Sequence, residues 1–445
     1  MSNYKQDASG SFFIKNINNK EIKILASKTI FSKIPISALE QLESISLIKE
    51  VESPIIAQAD IHPGFSVPIG TVFLSSSKNG IISPSAIGYD VNCGVRLIKT
   101  NLFAKDISKE QLLLLQKELT KLPLGLSKNG MKITKKDLDD ILNTGINWCV
   151  SKKICSKERV KNIENNGCYK GADSACVSKE AKELGLVELG TLGEGNHFID
   201  VLVVSEVFSK SLATKYKLKK DQVVILIHTG SRGLGHKVAD DYNKLCENKA
   251  PFTYTKFNSK LGQNYFKGMQ AAGNFAFVNR EILSKKIQDV FSVIFVGHLK
   301  PKFDLVYDLC HNIVTLETIK GKEYVVHRKG ATLATKNKPI ILPGSMLDYS
   351  YLLLPAKGTE KTLNTFPHGM GRSLSRSIAK EKITINDLKK FMLDKGVLLG
   401  GRSENVMREE QPNAYKSSKD IISIIEKANL AKKIVSFKPI IVLTG

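Results

Sequence analysis

This sequence of 445 residues has one tryptophan, few arginines, no Cys-x-x-Cys pair and no long apolar run. Its apolar runs, such as residues 223–227, are far shorter than the roughly 18 residues that cross a bilayer. Residues 1–7 are polar and lack the apolar core of a secretory signal. Hydrophobic residues make up 42% and charged residues 24%, which excludes general disorder. We therefore expect a cytoplasmic globular protein without membrane contact.

The seven cysteines are too few and too scattered for a disulfide framework or a zinc ribbon. Most of them are expected to be small buried hydrophobic residues. Cys93 differs because it lies in Asp90-Val-Asn-Cys93-Gly, between a carboxylate and a glycine.

Acidic residues are scarce relative to basic ones, 43 against 66, which gives a net charge of +23. Such a charge attracts polyanions, of which nucleic acid is the commonest. Compositional drift toward lysine explains the charge equally well, because only nine of the basic residues are arginine. The planar guanidinium of arginine binds phosphate through two hydrogen bonds at once, which the lysine ammonium cannot do in the same geometry. Arginines in Gly-, His- or Asn-bearing segments therefore indicate phosphate contacts. The alternative is that each one ties a loop to a core carboxylate; the residues concerned are Arg96, Arg232, Arg280, Arg328, Arg372 and Arg376.

The hydrophobic pattern predicts an α+β fold that forms one large domain over residues 1–445, with mixed sheets. We predict a helix capped by Ser108, a buried strand at 223–228 and a long helix at about 262–290. Further strands are expected at 323–327, 340–343 and 350–354, and further helices at 372–382 and 386–395. The Lys/Asn/Gly-rich stretch 124–180 is predicted to be a surface excursion anchored by Trp148.

Five of the eight histidines lie in polar or glycine-rich segments, and together with Asp90 and Cys93 they indicate a metal site. These histidines are His62, His197, His228, His311 and His368. A thiolate, imidazoles and a carboxylate suit zinc, manganese, iron or cobalt, and spacing alone does not choose among them. A single histidine of this kind is more often structural.

Two glycine-rich loops contain chemically useful side chains. The loop HTGSRGLG (228–235) follows a strand and offers backbone N–H groups to phosphates, although it is not a Walker A motif. The loop HGMGR (368–372) is expected to lead directly into a helix. A histidine at a helix N-terminus would be held neutral and nucleophilic, which suits attack on phosphorus.

Taken together, these segments resemble the RtcB family of GTP- and manganese-dependent RNA ligases. The resemblance rests on ten segments that occur in the family's order: ADIHPGFSVPIG (59–70), ISPSAIGYDVNCGVRL (82–97), LGTLGEGNHFID (189–200), HTGSRGLGH (228–236), AAGNFAFVNR (271–280), CHNIVTLE (310–317), VHRKGAT (326–332), LPGSM (342–346), HGMGRSLSR (368–376) and QPNAYK (411–416).

The resemblance implies a fold with a deep metal and nucleotide pocket and assigns roles to individual residues. Two Mn²⁺ ions would be held by Asp90, Cys93, His197, His228 and His311. His368 would be the residue that becomes guanylylated by GTP. Nucleotide contacts would come from Asn196, Asn312, Ser345, Ser350, Gly369, Met370, Gly371, Arg372, Tyr415 and the position of Thr444, and Arg232 would meet RNA or an anion.

The implied activity is the joining of RNA 3′-phosphate or 2′,3′-cyclic phosphate ends to 5′-hydroxyl ends. It would proceed through a histidine–GMP intermediate and an RNA-3′-pp-5′-G end, as in tRNA splicing and RNA repair. The partner would be RNA, such as tRNA halves or cleaved RNA. An archease-like activator remains open, and we expect a monomer.

Several positions depart from the family pattern and favour a diverged paralogue. Thr444 stands where the family has a lysine that recognises guanine, and losing a charged hydrogen bond costs roughly 1.5–3 kcal/mol. Asp200, Met370 and Leu333 replace an expected Glu, Ala and Arg. The alternative function is therefore a manganese-dependent end-capping nucleotidyltransferase or phosphoesterase on RNA or DNA 3′-phosphates with relaxed base choice. A non-catalytic RNA-binding relative is a third reading, which the retained His368 and ligand set disfavour.

Overall fold

The computed structural model describes residues 3–296 and 300–445. The strands are β1 (Lys5–Gln6), β2 (Phe12–Ile17), β3 (Lys20–Leu25), β4 (Val51–His62), β5 (Ile69–Ser76), β6 (Ile81–Ile82), β7 (Gly94–Phe103), β8 (Phe198–Val207), β9 (Gln222–Thr229), β10 (Thr255–Lys256), β11 (Phe303–Cys310), β12 (Asn312–Ile319), β13 (Lys322–Lys329), β14 (Ala331–Leu333), β15 (Ile340–Leu342), β16 (Ser350–Pro355), β17 (Thr365–Pro367), β18 (Leu398–Gly401) and β19 (Ala431–Thr444). The helices are α1 (Lys28–Phe31), α2 (Ile36–Ser44), α3 (Lys109–Thr120), α4 (Lys135–Thr144), α5 (Ile146–Ser151), α6 (Lys157–Val160), α7 (Lys179–Glu188), α8 (Lys210–Tyr216), α9 (Arg232–Leu245), α10 (Lys260–Ile294), α11 (Arg376–Glu381), α12 (Ile385–Asp394), α13 (Glu404–Glu409) and α14 (Ser418–Lys427).

Two large, mainly antiparallel sheets form the frame. One has the strand order β1-β2-β3-β4-β5-β13-β12, and the other has the order β11-β7-β9-β8-β19-β16-β15 with β18 paired to β19. Among the strands of the described residues, only the β3–β4 and β18–β19 pairs are parallel. Helical and strand segments do not alternate in a βαβ rhythm, so the α+β prediction is confirmed.

The second sheet is buried on both faces, and strand β9 shows why its sequence is continuously apolar. Val224 and Leu226 belong to the core between the two sheets, whereas Val223, Ile225 and Ile227 belong to a second core under the helices. Successive side chains of a strand point to opposite faces, so a strand covered on both sides needs apolar residues at every position.

Helix α10 is the main element of the helical layer. Its sequence buries residues on all sides, including Phe275, Phe277 and Val278, because it lies against β9 and among α3, α4, α5 and α9. Within the described residues, no helix has both the length and the apolar character needed to cross a membrane.

The segment 124–180 differs from the predicted surface excursion. Leu138, Ile141 and Trp148 are buried in the second core, and the Trp148 indole N–H donates to Asp137 Oδ1 at 3.2 Å. The polar residues that suggested an excursion lie on the outer sides of short amphipathic helices. Trp148 does anchor the segment, but it anchors it into the body of the molecule.

The other predicted elements are present with small changes of boundary. Ser108 caps α3 by accepting from the Gln111 N–H at 3.2 Å. The predicted helix at 372–382 is shorter and begins at Arg376, where Ser375 provides the cap.

Candidate metal and nucleotide site

Three predicted metal ligands lie at one end of the second sheet because of strand periodicity. Val95 and Leu97 of β7 face the core between the sheets. Cys93 lies two residues before Val95, so its side chain points to the same face as these two. His228 continues Val224 and Leu226 of β9 in the same way. His311 follows Tyr307 and Leu309 of β11. The three side chains therefore point to the same face.

The distances between these groups are those of a ligand cluster. The Cys93 Sγ lies 3.3 Å from Nε2 of His197 and 3.3 Å from Nε2 of His228. His228 and His311 approach through their Nε2 atoms at 3.3 Å. The His197 Nε2 is 2.8 Å from Asp90 Oδ2. The result is two overlapping groups, Cys93–His228–His311 and Asp90–Cys93–His197, whose ligand atoms lie within 4.8 Å of one another.

Burial shapes the protonation of this cluster. It raises the pKa of the Cys93 thiol well above its usual value, with the Asp90 charge acting in the same direction. Burial lowers the pKa of His228 and of His311, and neighbouring imidazoles lower them further. Burial alone would raise the pKa of Asp90, but the hydrogen bond from His197 and nearby positive charge bring it to about 2.

These residues fit a pair of divalent transition-metal ions. Neutral imidazoles and a carboxylate are ready to act as ligands, and a bound cation would favour the thiolate of Cys93, which bridges the two groups. The donor set of sulfur, nitrogen and oxygen suits several first-row metals, manganese among them.

His368 lies against this cluster and is held by Asp60. Its ring centroid is 4.8 Å from that of His311. The Nδ1 lies 2.6 Å from Asp60 Oδ2, which also accepts from the backbone N–H groups of His368 at 3.0 Å and Gly369 at 3.3 Å. Because Nδ1 is engaged, Nε2 is the ring nitrogen that remains available to react.

A helix N-terminus is expected beside His368 from the sequence, and this expectation is wrong. His368 directly follows β17, and the next helix begins only at Arg376, so no helix N-terminus acts on the ring. The orienting group is Asp60 on β4, which the sequence reasoning missed. Asp60 lies in the quoted segment 59–70, but a separation of 308 residues hides the contact from any spacing pattern.

A cavity of about 530 Å³ opens beside His368. Its walls combine the predicted metal ligands His197 and His228 with eight of the predicted nucleotide contacts: Asn196, Ser345, Gly369, Met370, Gly371, Arg372, Tyr415 and Thr444. Gly371 has φ +70° and backs on the Asp60 carbonyl so closely that any Cβ would clash. That position must be glycine for the loop to reach Asp60.

Three residues that were predicted to contact nucleotide or RNA do not line the cavity and make protein contacts near it. Ser350 accepts from the Gly344 N–H at 2.8 Å and so fixes the loop that carries Ser345. The Asn312 amide donates to the Asp90 carbonyl at 3.2 Å and accepts from the Gly330 N–H at 2.8 Å. Arg232 is buried, and its backbone N–H donates to Asp90 Oδ1 at 3.0 Å.

Arg372 and Tyr415 contact each other. The guanidinium lies 5.2 Å from the Tyr415 ring centroid and donates to Glu410 Oε1 at 3.0 Å, the Glu409 carbonyl at 2.6 Å and the Leu374 carbonyl at 3.1 Å. Arg372 therefore shapes the wall of the cavity through protein contacts in this state.

Asp200 pairs with Val442 in the β8–β19 pair, so Thr444 is its diagonal neighbour on the same face, and both residues line the cavity. The Asp200 Oδ1 and the Thr444 Oγ1 are buried without a hydrogen-bond partner among the described residues. Burial raises the pKa of Asp200 well above its usual value. A ligand with polar atoms at this point would satisfy both groups.

Three of the arginines considered as phosphate contacts form ion pairs with carboxylates inside the protein, which was the alternative interpretation. Arg96 and Arg280 are fully buried against Asp308, with Arg96 also paired to Glu281. Arg328 is paired with Glu317. A charged guanidinium that is buried needs a carboxylate partner, so these three arginines are unavailable to phosphate.

Comparison with known proteins gives consistent matches. Residues 41–445 match the family model described as tRNA-splicing ligase RtcB. The chain is 35% identical to the tRNA-splicing ligase RtcB of Methanococcus maripaludis, over 95% of this chain and 94% of the relative. It is 36% identical to the protein of the same name from Thermococcus kodakarensis, over 92% and 91%. It is also 36% identical to the RNA-splicing ligase RtcB homolog 2 of Entamoeba dispar, over 88% and 80%.

Proposed function

The chain belongs to the RtcB family of tRNA-splicing ligases, and from this premise we propose that it is a manganese- and GTP-dependent RNA ligase. It would join RNA 3′-phosphate or 2′,3′-cyclic phosphate ends to 5′-hydroxyl ends. The observation that carries the proposal is the position of His368, which lies between a carboxylate that orients it and a cluster of metal ligands. The cytoplasmic location, the monomeric state and the need for an archease-like activator stay predictions.

The first step would load GMP onto the protein. His368 Nε2 attacks the α-phosphorus of GTP, the bond to the bridging oxygen of the β-phosphate breaks, and pyrophosphate leaves. Asp60 accepts the Nδ1–H and holds the tautomer whose Nε2 lone pair faces outward. The phosphoramidate that results is a reactive donor of GMP.

The second stage would use that GMP on RNA. An RNA 3′-phosphate oxygen displaces His368 from the phosphorus and gives the RNA-3′-pp-5′-G end, after a cyclic phosphate has been opened by hydrolysis. The 5′-hydroxyl of the second RNA then attacks the 3′-phosphate, and GMP leaves. Two Mn²⁺ ions held by the Cys93 cluster would supply the positive charge that neutralises the reacting phosphates.

One incubation tests this proposal. The protein is mixed with Mn²⁺ and GTP labelled on the α-phosphate, and label retained on the denatured protein is measured. We expect retention in the wild type and none in His368→Ala. A Lys390→Ala variant, which removes an exposed side chain of α12 outside the cavity, is the control. Joining of a cyclic-phosphate RNA to a 5′-hydroxyl RNA then identifies ligation, and label without joining would favour an end-capping enzyme.

The residues expected to contact the base support a second candidate function, an enzyme with relaxed base choice. The unpartnered Asp200 and Thr444 give the cavity one carboxyl and one hydroxyl where a base edge would bind. A hydroxyl contributes less discrimination than a charged donor, so we expect guanine preference to be weaker by roughly one to two orders of magnitude. Comparing GTP with ATP in the labelling assay, for the wild type and for Thr444→Lys, measures this. Equal and strict GTP dependence in both proteins would exclude relaxed base choice.

A further inference from the structure

Three aromatic rings form a continuous row on the surface beside the metal cluster. The ring centroids of Phe65 and Tyr89 are 5.6 Å apart, with an angle of 56° between the planes. Those of Tyr89 and His236 are 4.6 Å apart, at 43°. Phe65 is 65% exposed, His236 is exposed and Tyr89 is half-buried. We call these three residues the aromatic row.

The aromatic row is attached to the segments that hold Asp90. Tyr89 directly precedes this ligand. His236 lies on α9, and the first residue of that helix, Arg232, donates its backbone N–H to Asp90 Oδ1 at 3.0 Å. Two of the three rings therefore lie on segments that are attached directly to Asp90.

The loop that carries Phe65 is held in one conformation by a buried lysine. Lys329 Nζ donates to the carbonyls of Phe65 at 2.6 Å and Val67 at 2.8 Å. Ser66 between them has φ +65°, a left-handed conformation that a loop adopts only when its surroundings fix it. The neighbour of Lys329, Gly330, lies against the His368 ring, where a Cβ would be 3.1 Å from Cε1. The backbone that carries the exposed Phe65 ring is thus held by a lysine whose neighbour lies against the His368 ring.

The aromatic character of the row favours contact with bases. On α9, the helix that carries His236, Lys237 is paired with Asp241, and Lys244 is paired with Asp240 at 2.7 Å. Arg232, the third basic residue of this helix, is buried. Exposed aromatic rings are suited to stacking, which any nucleobase can provide.

We propose that Phe65, Tyr89 and His236 form a stacking platform for the unpaired bases of an RNA end as it enters the metal cluster. This inference rests on the proposed function, because it takes single-stranded RNA as the substrate. Stacking tolerates any sequence, so the platform would place an end of arbitrary sequence while the metal and nucleotide groups act on its phosphate or hydroxyl.

Equilibrium binding of short single-stranded RNAs tests the platform without requiring catalysis. Two RNAs are used, one ending in a 5′-hydroxyl and one in a 3′-phosphate, each with a dye at the far end and Mn²⁺ present. Matched RNAs lack the bases of the nucleotides nearest the reactive end. For Phe65→Ala we expect binding of at least one intact RNA to weaken by about 5- to 100-fold. The abasic RNA should bind the wild type and the variant equally.

Two further variants keep the test decisive. His236→Ala, at the opposite end of the row from Phe65, should weaken binding of the same intact RNA. Phe391→Ala removes a partly exposed phenyl ring on α12, outside the cavity, and should leave binding unchanged. Wild-type affinity of Phe65→Ala for both intact RNAs, or equal losses for intact and abasic RNA, would overturn the platform. The first of these results would leave Phe65 as a contact for a protein partner.

Failure of the platform and failure of the ligase proposal are distinguishable. A wild type that never retains GMP, but whose base-dependent RNA binding is lost in Phe65→Ala, contradicts the ligase mechanism and supports the platform. A wild type that retains GMP and joins RNA, with unchanged RNA affinity in Phe65→Ala, supports the ligase mechanism and contradicts the platform.

Discussion

Asp60 makes a hydrogen bond to His368 that determines which ring nitrogen can react. Its Oδ2 lies 2.6 Å from Nδ1, so the carboxylate fixes both the tautomer and the ring orientation. Lys416 supports this arrangement, since its Nζ donates to the carbonyls of Ala59 at 3.0 Å and Ile61 at 2.7 Å on either side of Asp60.

Asp60→Asn should slow the labelling of His368 by GTP by at least about 100-fold, because an amide no longer stabilises a single tautomer or the charge that develops on the ring. The rate of label retention on the denatured protein measures this. Asp289→Asn, at an exposed position on α10, is the control. Unchanged labelling in Asp60→Asn would show that the carboxylate only supports the loop.

Glu164 gives a residue-scale prediction about pH. It is buried, and its Oε2 accepts from the Cys310 N–H at 2.8 Å. Burial raises its pKa from 4.5 to about 7. Between these values the folded protein binds more protons than the unfolded chain, so the stabilising contribution is complete below pH 4.5 and is lost as the pH rises through 7.

Raising the pH from 5 to 8 should therefore cost the wild type about 3 kcal/mol more stability than it costs Glu164→Gln, which stays neutral throughout. Urea unfolding of both proteins at the two pH values measures the difference. Parallel losses in the two proteins would contradict the raised pKa.

At the scale of elements, helix α10 holds the loops that carry candidate metal ligands. The Arg280 Nη1 donates to the carbonyls of Asn92 at 2.8 Å and Thr229 at 2.9 Å, which are the neighbours of Cys93 and His228. The side chain of Asn279 donates to the Gly230 carbonyl at 3.0 Å. One rigid helix thus fixes the spacing of ligands that come from two strands.

Arg280→Met should destabilise the fold by about 3–5 kcal/mol, because it removes one partner of a buried ion pair with Asp308 and leaves two buried carbonyls without donors. It should also weaken Mn²⁺ binding, since the ligand loops lose their common support. Urea unfolding and a Mn²⁺ titration measure the two effects. Arg402→Met, at an exposed arginine, should change stability by less than about 0.5 kcal/mol.

Local pattern was sufficient to predict the elements but not the contacts between them. The run at 223–228 and the periodicity at 262–290 predict β9 and α10 because each repeats along the chain. Polar composition misplaced the segment 124–180, because short amphipathic helices bury few residues each and expose many.

The candidate site shows the same division. Residue types and resemblance brought His368 and the Cys93 cluster into one hypothesis. The partner of His368, Asp60, could not be found this way, because the contact depends on how β4 and the 368–371 loop pack. The sequence leaves Arg280 open between a phosphate contact and a core carboxylate, because it cannot distinguish an arginine that faces Asp308 from one that faces solvent.

At the scale of the whole molecule, the metal cluster lies where the two large sheets meet. Cys93 directly precedes β7 and His228 lies on β9 of the second sheet, while His311 links β11 of that sheet to β12 of the first. His368 comes from a loop held by Asp60 of the first sheet. Ions bound to this cluster would therefore connect parts of the chain that are far apart in sequence.

Mn²⁺ should consequently stabilise the entire fold and not one loop. A ligand that binds only the folded state adds about 2.7 kcal/mol when its concentration is 100 times its dissociation constant. We expect the melting temperature to rise with Mn²⁺, to return with a chelator, and to keep a single transition because both sheets share the cluster. Cys93→Ala should lose most of the rise, since this thiol belongs to both ligand groups. Cys246→Ala, which removes a buried thiol outside the ligand cluster, should retain the full rise, and an equal response in both variants would place the bound ions elsewhere.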